Sequence, residues 1–244
     1  MGSEIQQQLL AAPVAAAAAA AEHPSWSEYN QRWFNIWHDG LQKGQQFDKG
    51  APSPQLMQLL SSGQLQVQGK RALVPGCGRG YDVVAFAAAG ASLSVGLDIC
   101  PDAIAAANKQ CDEQLAGHPD AAKVSAATEL AVADFFSYCH SSGQLFNVGY
   151  DYTFLCALHP DMRSSWAEGW ARLLQPGGEL LTMVYPVDPS RDANTGPPWP
   201  VTPDLYKQLL PPAGFELVSL EPIPAGLSHE GRQGREWLGR WRRQ

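Results

Sequence analysis

The stretch Arg71–Asp82, reading RALVPGCGRGYD, constrains this chain more than any other. A short apolar run, Ala72-Leu73-Val74, has the composition of a buried strand and runs through Pro75 into Gly76-Cys77-Gly78-Arg79-Gly80. An alanine-rich helical segment, Tyr81–Ala89, follows at once. Strand, glycine turn and helix in that order bring backbone N–H groups and a helix N-terminus up to a bound ligand. Glycine is needed there because a Cβ would block both the sharp turn and the close approach. A second apolar strand, Leu93–Leu97, ends in Asp98, eighteen residues beyond Gly80. A carboxylate at that strand tip is placed to accept hydrogen bonds from two ribose hydroxyls. Loop and acid together indicate a nucleoside-containing cofactor.

The dinucleotide fingerprint is G-x-G-x-x-G, but here the third glycine comes one residue early and Tyr81 stands in its place. A pyrophosphate needs the close approach that the full pattern allows. A cofactor without phosphates, such as S-adenosylmethionine, needs only the turn and the ribose acceptor. The loop therefore favours S-adenosylmethionine, with an NAD-linked oxidoreductase as the alternative.

Downstream, Pro101 and Asp102 open a helix running through about Cys111, and Glu129–Ala133 reads as a third strand delivering Asp134-Phe135. An acid followed by an aromatic at a strand tip suits an adenine amino group and the face of its ring. Phe146–Phe154 is a fourth strand with its exit, which puts Tyr150-Asp151-Tyr152 near the edge where open parallel sheets bind ligands. Pro160–Leu174 is a helix with Trp166, Trp170, Leu173 and Leu174 on one core-facing side. Gln175–Gly178 stops it, Glu179–Tyr185 is a fifth strand, and the Pro/Gly-rich loop 187–200 is long enough to cover a substrate. After a helix at Pro203–Leu210, Phe215–Leu220 and Glu236–Trp241 read as an antiparallel pair. This order predicts a doubly wound, mostly parallel α/β sheet with a terminal antiparallel hairpin.

The N-terminal side differs in character. Residues 1–24 are low-complexity, with alanine at every position from 15 to 21, and are expected to be a disordered tail. They hold no Lys or Arg, which argues against a secretory or organelle signal and for a cytoplasmic protein. Residues 25–244 form one domain, in which residues 25–54 are an aromatic segment; Ser53 or Pro54 starts a helix after it. Trp26, Tyr29, Trp33 and Trp37, at spacings of three and four, lie on one face of a helix, either packed on the domain or roofing the cofactor. A net charge of −7 disfavours nucleic acid as a partner, and no apolar run has the length of a membrane span. The five cysteines are scattered and never spaced C-x-x-C, so neither a disulfide frame nor a metal site is expected. The tail arginines (Arg232, Arg235, Arg240, Arg242, Arg243) read as a solvated edge strand.

The runs ALVPGCGRGYDVV, VGLDI, YDYTFLCALHPDMRSSWA, LLQPGGELLTMVYP, GPPWPV and LGRW together resemble the thiopurine S-methyltransferase-like family, most nearly its plant and algal harmless-to-ozone-layer halide and thiol methyltransferases. The resemblance spans about Trp33 to Trp241. It implies a Class I, Rossmann-like, S-adenosylmethionine-dependent methyltransferase with an N-terminal aromatic lid. Its acceptors would be halide, bisulfide or thiocyanate anions or small thiols. By the same resemblance Trp33, Trp37 and Phe47 close over the cofactor, although Phe47 stands where the group often has tryptophan. Gly76 is the turn contact, Asp98 the ribose acceptor, Ile99 its neighbour against adenine, and Asp134 with Phe135 the adenine-side pair. Tyr152 and Tyr185 would line the methyl-transfer pocket. Gly149 replaces a larger apolar residue usual in the group. A monomer is expected, and a cofactor-binding protein without catalysis is the remaining alternative. Attack by a soft anion on a sulfonium methyl requires no general base, in keeping with the isolated His140 and His159. Cys77 reads as a structural thiol.

Overall fold

The computed structural model describes residues 24–244, with side chains from residue 27 onward. The alanine tract at 15–21 and the side chain of Trp26 lie outside the described residues. Helix α1 (Pro24–His38) carries the aromatic stripe, and α2 (Pro54–Ser61) starts as the sequence predicts. Ser53 is its N-cap, its Oγ accepting from the Leu56 N–H at 3.4 Å, with Pro54 in the first turn. Then come β1 (Arg71–Pro75), α3 (Tyr81–Ala88), β2 (Leu93–Asp98), α4 (Pro101–Leu115), the short α5 (Ala121–Ala126), β3 (Thr128–Val132) and β4 (Phe146–Tyr152). The chain ends with α6 (Arg163–Leu173), β5 (Leu174–Val184), α7 (Pro203–Leu209), β6 (Phe215–Pro222) and β7 (Trp237–Arg243).

All seven strands join one sheet in the order β3-β2-β1-β4-β5-β7-β6. The first five are parallel, and β7 runs antiparallel to both neighbours. The strand order reverses between β1 and β4, and that reversal opens a crevice beyond their C-terminal ends. Gly76, Asp98, Asp134, Thr153 and Tyr185 all follow or close strands at this edge. Position in the sheet therefore gathers residues that are far apart in sequence.

Helices cover both faces. On one side Trp166 and Trp170 of α6 are fully buried against Phe135, Leu180 and Trp241. Trp166 Nε1 donates to Asp151 Oδ2 at 2.7 Å, so the large apolar ring enters the core without stranding its N–H. Truncating any of these three tryptophans is worth about 3–5 kcal/mol of stability. On the other side α2 and α3 bury Leu56, Leu59, Val83 and Phe86 against Val74, Tyr150 and Leu181.

The structure departs from the sequence reading in four places. The helix expected at Pro160–Leu174 begins as a 3-10 turn, Pro160–Met162, and Leu174 already belongs to β5. Gln175–Gly178 does not end an element but bulges out of β5, since Phe146 pairs with Leu174 and Val148 with Glu179. Pairing with β4 on both sides of Pro176 outweighs the local break signal. Helix α5 is absent from the sequence reading because its six residues are too few to show periodicity. Lastly, the arginine-bearing tail strand is not solvated at the edge: β7 inserts between β5 and β6, and Arg240 Nε meets Glu179 Oε1 at 2.5 Å. Arg232, just before that strand, is 3% exposed.

Candidate active site

Two glycines form the floor of the crevice. Gly76 (φ +58°) and Gly78 (φ +52°) are both in the left-handed region. A Cβ on Gly76 would sit 2.7 Å from the Phe154 ring, and one on Gly78 would sit 3.3 Å from Trp37. The turn is thus closed down on by aromatic rings from two other segments. Asp98, 9% exposed, ends β2 beside it. Its Oδ2 accepts from the Gly78 N–H at 3.2 Å and its Oδ1 from the Cys100 N–H at 3.0 Å. Burial outweighs those bonds and raises the Asp98 pKa to about 6. Each carboxylate oxygen keeps a further lone pair, so Asp98 can still take ribose hydroxyls. A cleft of about 1640 Å³ extends from this floor past Ile99, Asp134 and Phe135. That space and donor set fit an adenosine-bearing group.

The candidates on the adenine side divide. Ile99 is half-buried on the cleft wall, whereas Asp134 is exposed and its Oδ1 accepts from the Phe136 N–H at 3.0 Å. Phe135 is 2% exposed and wedged among Phe136, Phe154 and Trp170 at centroid distances of 5.4, 5.2 and 5.1 Å. Most of the Phe135 ring serves the core, and its edge meets the cleft.

The roof is pinned by a residue the sequence reading missed. Asp48, buried, takes the Arg79 Nε at 2.7 Å, the Tyr81 hydroxyl at 3.2 Å and the N–H groups of Gly44 and Gly50 at 3.2 and 2.7 Å. Tyr81, the residue that breaks the dinucleotide pattern, thereby ties the glycine loop to the aromatic segment. Phe47, next to Asp48, makes edge contacts with Trp33 at 5.8 Å and Trp37 at 6.1 Å, and the Arg79 guanidinium lies 5.7 Å from the Trp37 ring. Helix α1 is also held across the crevice: the Tyr29 hydroxyl donates to the Ala157 carbonyl at 2.5 Å and accepts from Trp199 Nε1 at 3.0 Å. The structure brings Trp33, Trp37 and Phe47 together over the loop.

Beneath that roof is an inner recess reached from the same floor. Tyr152 closes β4, and the chain leaves it through Thr153 in the left-handed region (φ +60°), where a β-branched residue is strained. The Arg232 guanidinium lies 4.9 Å from the Tyr152 ring centroid and 4.5 Å from that of Tyr185. Its Nη2 donates to the Phe47 carbonyl at 2.9 Å, linking recess to roof. The Tyr152 hydroxyl donates to Glu236 Oε1 at 2.5 Å, and His229 stacks on the Tyr152 ring at 6.1 Å. Burial and the neighbouring Arg232 lower His229 to about 4, so it is neutral at pH 7. His229 has no signal in its turn-rich stretch, while Arg232 and Glu236 were read only as a solvated cation and a strand start, and only the return of the tail through the sheet brings the three here.

Cys77 lies inside the loop, but its Sγ packs against the β2 backbone at Gly96. Burial and the nearby Asp98 push its thiol well above the usual range, which makes it a poor nucleophile. His140 and His159 engage their own loops, through Ser142 at 2.8 Å and Asp161 at 3.3 Å.

Comparison with known proteins fits this geometry. Residues 29–238 match the family model described as thiopurine S-methyltransferase. Thiocyanate methyltransferase 1 of Brassica oleracea is 37% identical over 211 residues, covering 86% of this chain and 84% of the relative. A probable thiol methyltransferase 2 of Arabidopsis thaliana shows the same identity and coverage. Among solved structures, magnesium protoporphyrin IX methyltransferase of Synechocystis PCC 6803 with bound S-adenosylmethionine superposes with a TM-score of 0.58 at 18% identity, over 88% of this chain and 91% of that one; this likeness speaks to the fold alone. Matched along nearly its whole described length by one family model, the chain belongs to the thiopurine S-methyltransferase family of S-adenosylmethionine-dependent methyltransferases.

Proposed function

We propose that this methyltransferase acts on small soft nucleophiles: thiocyanate, bisulfide, iodide, bromide and small thiols. The observation that carries the reading is the Arg232 guanidinium, a buried positive charge that packs on the Tyr152 and Tyr185 rings and lines the recess beside the glycine loop. A cation in a dry recess attracts a small anion strongly, because little water screens it. The names of the relatives, thiocyanate and thiol methyltransferases, support the same substrate class.

S-adenosylmethionine, when bound, supplies an electrophilic methyl on a sulfonium. In our reading Gly76 and Asp98 hold its adenosine half, with Ile99, Asp134 and Phe135 on the adenine side. Trp33, Trp37 and Phe47 present ring faces, which attract a sulfonium cation, and shut out water. Tyr152 and Tyr185 hold the acceptor in line with the methyl, and that alignment supplies most of the rate for an anion with no proton to lose. We further propose that the protein is a cytoplasmic monomer. Five free cysteines and the acidic net charge support this, and no helix among the described residues is long and apolar enough to cross a membrane.

Headspace analysis tests the reading. Purified protein with S-adenosylmethionine and thiocyanate, bisulfide or iodide is expected to release methyl thiocyanate, methanethiol or methyl iodide. Trp33→Ala and Tyr152→Phe should each slow that turnover. No volatile product from any of these acceptors would refute the proposal.

A further inference from the structure

Behind the Tyr152 wall of the recess stands a carboxylate for which an anion-methylating site has no use. Glu236, at the start of the tail strand, is 1% exposed. Its Oε1 receives the Tyr152 hydroxyl at 2.5 Å and lies 4.0 Å from Arg232 Nη1, while its Oε2 has no partner among the described residues. Burying an ionisable group that lacks a full set of partners is costly, and an anionic acceptor, which draws on Arg232, makes no use of it. The groups facing it are Tyr152 from β4, Arg232 and His229 from the preceding loop, and Asp82 and Tyr150 just beyond, which belong to the same charge network. Of these, Tyr152 is the one that hydrogen-bonds Glu236 and lines the recess, where Arg232 stands 4.0 Å from the same carboxylate.

We propose that Glu236 is a positioning residue and proton sink that acts through the Tyr152 hydroxyl, and that it extends this site from aprotic anions to protonated thiols. This rests on the methyl-transfer reading above. In the step, the thiol sulfur bonds to the donor methyl and the methyl–sulfonium bond breaks, its electron pair staying on the donor sulfur. The thiol S–H proton passes to the Tyr152 oxygen as the hydroxyl proton of Tyr152 passes to Glu236 Oε1, and solvent later takes it. His229 cannot take this part at pH 7, because Arg232 and burial hold its ring in a weakly basic state. Arg232 Nη1, 4.0 Å from Oε1, faces the carboxylate that receives the proton.

The test compares thiocyanate, which has no proton to lose, with 2-mercaptoethanol, a thiol still protonated at neutral pH. Steady-state kcat/KM for both is measured in the wild type, Glu236→Gln and Tyr152→Phe, with S-adenosylhomocysteine affinity followed by calorimetry. At neutral pH the thiol-to-thiocyanate ratio is expected to fall roughly 100-fold in both variants, the lower end of general acid–base contributions. The deficit should shrink as the pH is raised past the pKa of the thiol, where thiolate is supplied by solution. Glu236→Gln should bind S-adenosylhomocysteine within a few-fold of the wild type. An unchanged ratio in both variants overturns the proposal, whether or not absolute rates fall, and so does a ratio that drops equally at all pH values. If one variant fails to fold, the other decides. Failure of the wild type to methylate either acceptor would instead remove the methyl-transfer reading itself.

Discussion

Acidification offers a direct probe of Asp98, because burial leaves its carboxyl titrating at about 6 rather than at the ordinary 3.8. Ribose hydroxyls donate to a carboxylate better than to a carboxylic acid, so S-adenosylhomocysteine should bind the ionised form. The affinity is then full above about pH 6 and falls as the pH drops through that value. At about pH 5, one unit below, only about a tenth of Asp98 is ionised, so Kd should rise about tenfold, or about 1.4 kcal/mol. Folding stability runs the other way: a carboxyl raised in the folded state favours folding at low pH, and about 3 kcal/mol of that contribution is lost as the pH climbs from 3.8 through 6. Calorimetric titrations across about pH 5–8 measure the first effect. Asp82 and Asp151 also titrate at about 6, so Asp98→Asn is the necessary control. It should bind about 10- to 100-fold more weakly at neutral pH, as expected for losing a hydrogen bond to a charged group, and its pH profile should be flat. A wild-type affinity constant down to about pH 5, or an Asp98→Asn variant that keeps the slope, would refute the assignment.

Two further outcomes follow from packing. Gly149→Ala, which would place a methyl group 2.5 Å from the buried Trp170 ring and 3.0 Å from Leu180, should destabilise by about 1–3 kcal/mol, seen as a lower Tm by differential scanning calorimetry. Cys77→Ser should keep turnover within a few-fold of the wild type in the headspace assay, since the thiol, packed against β2 beside Asp98, is held protonated.

The Gly149 case shows where the sequence reading stopped. As a single glycine in a strand where the family resemblance implies a larger residue, it had no visible cause. In the fold its missing side chain is the space that the Trp170 ring occupies. The glycine loop, the acid at the end of β2, the strands themselves and the antiparallel tail pair were legible because each is written locally, as a turn that only glycine allows or as an apolar run of strand length. The aromatic stripe of α1 was legible as a stripe, while its contact with the loop was not, because Asp48 and Tyr81 make that link over 33 residues of sequence. Arg232 and Glu236 went further astray, since a charged, turn-rich stretch looks solvated unless it is known to fold back under a roof. The sequence alone determined the mostly parallel sheet, the glycine turn at its edge and the family. The tertiary structure decided which charges are buried and what they face, because a charge becomes an instrument of chemistry only when remote segments exclude water from it.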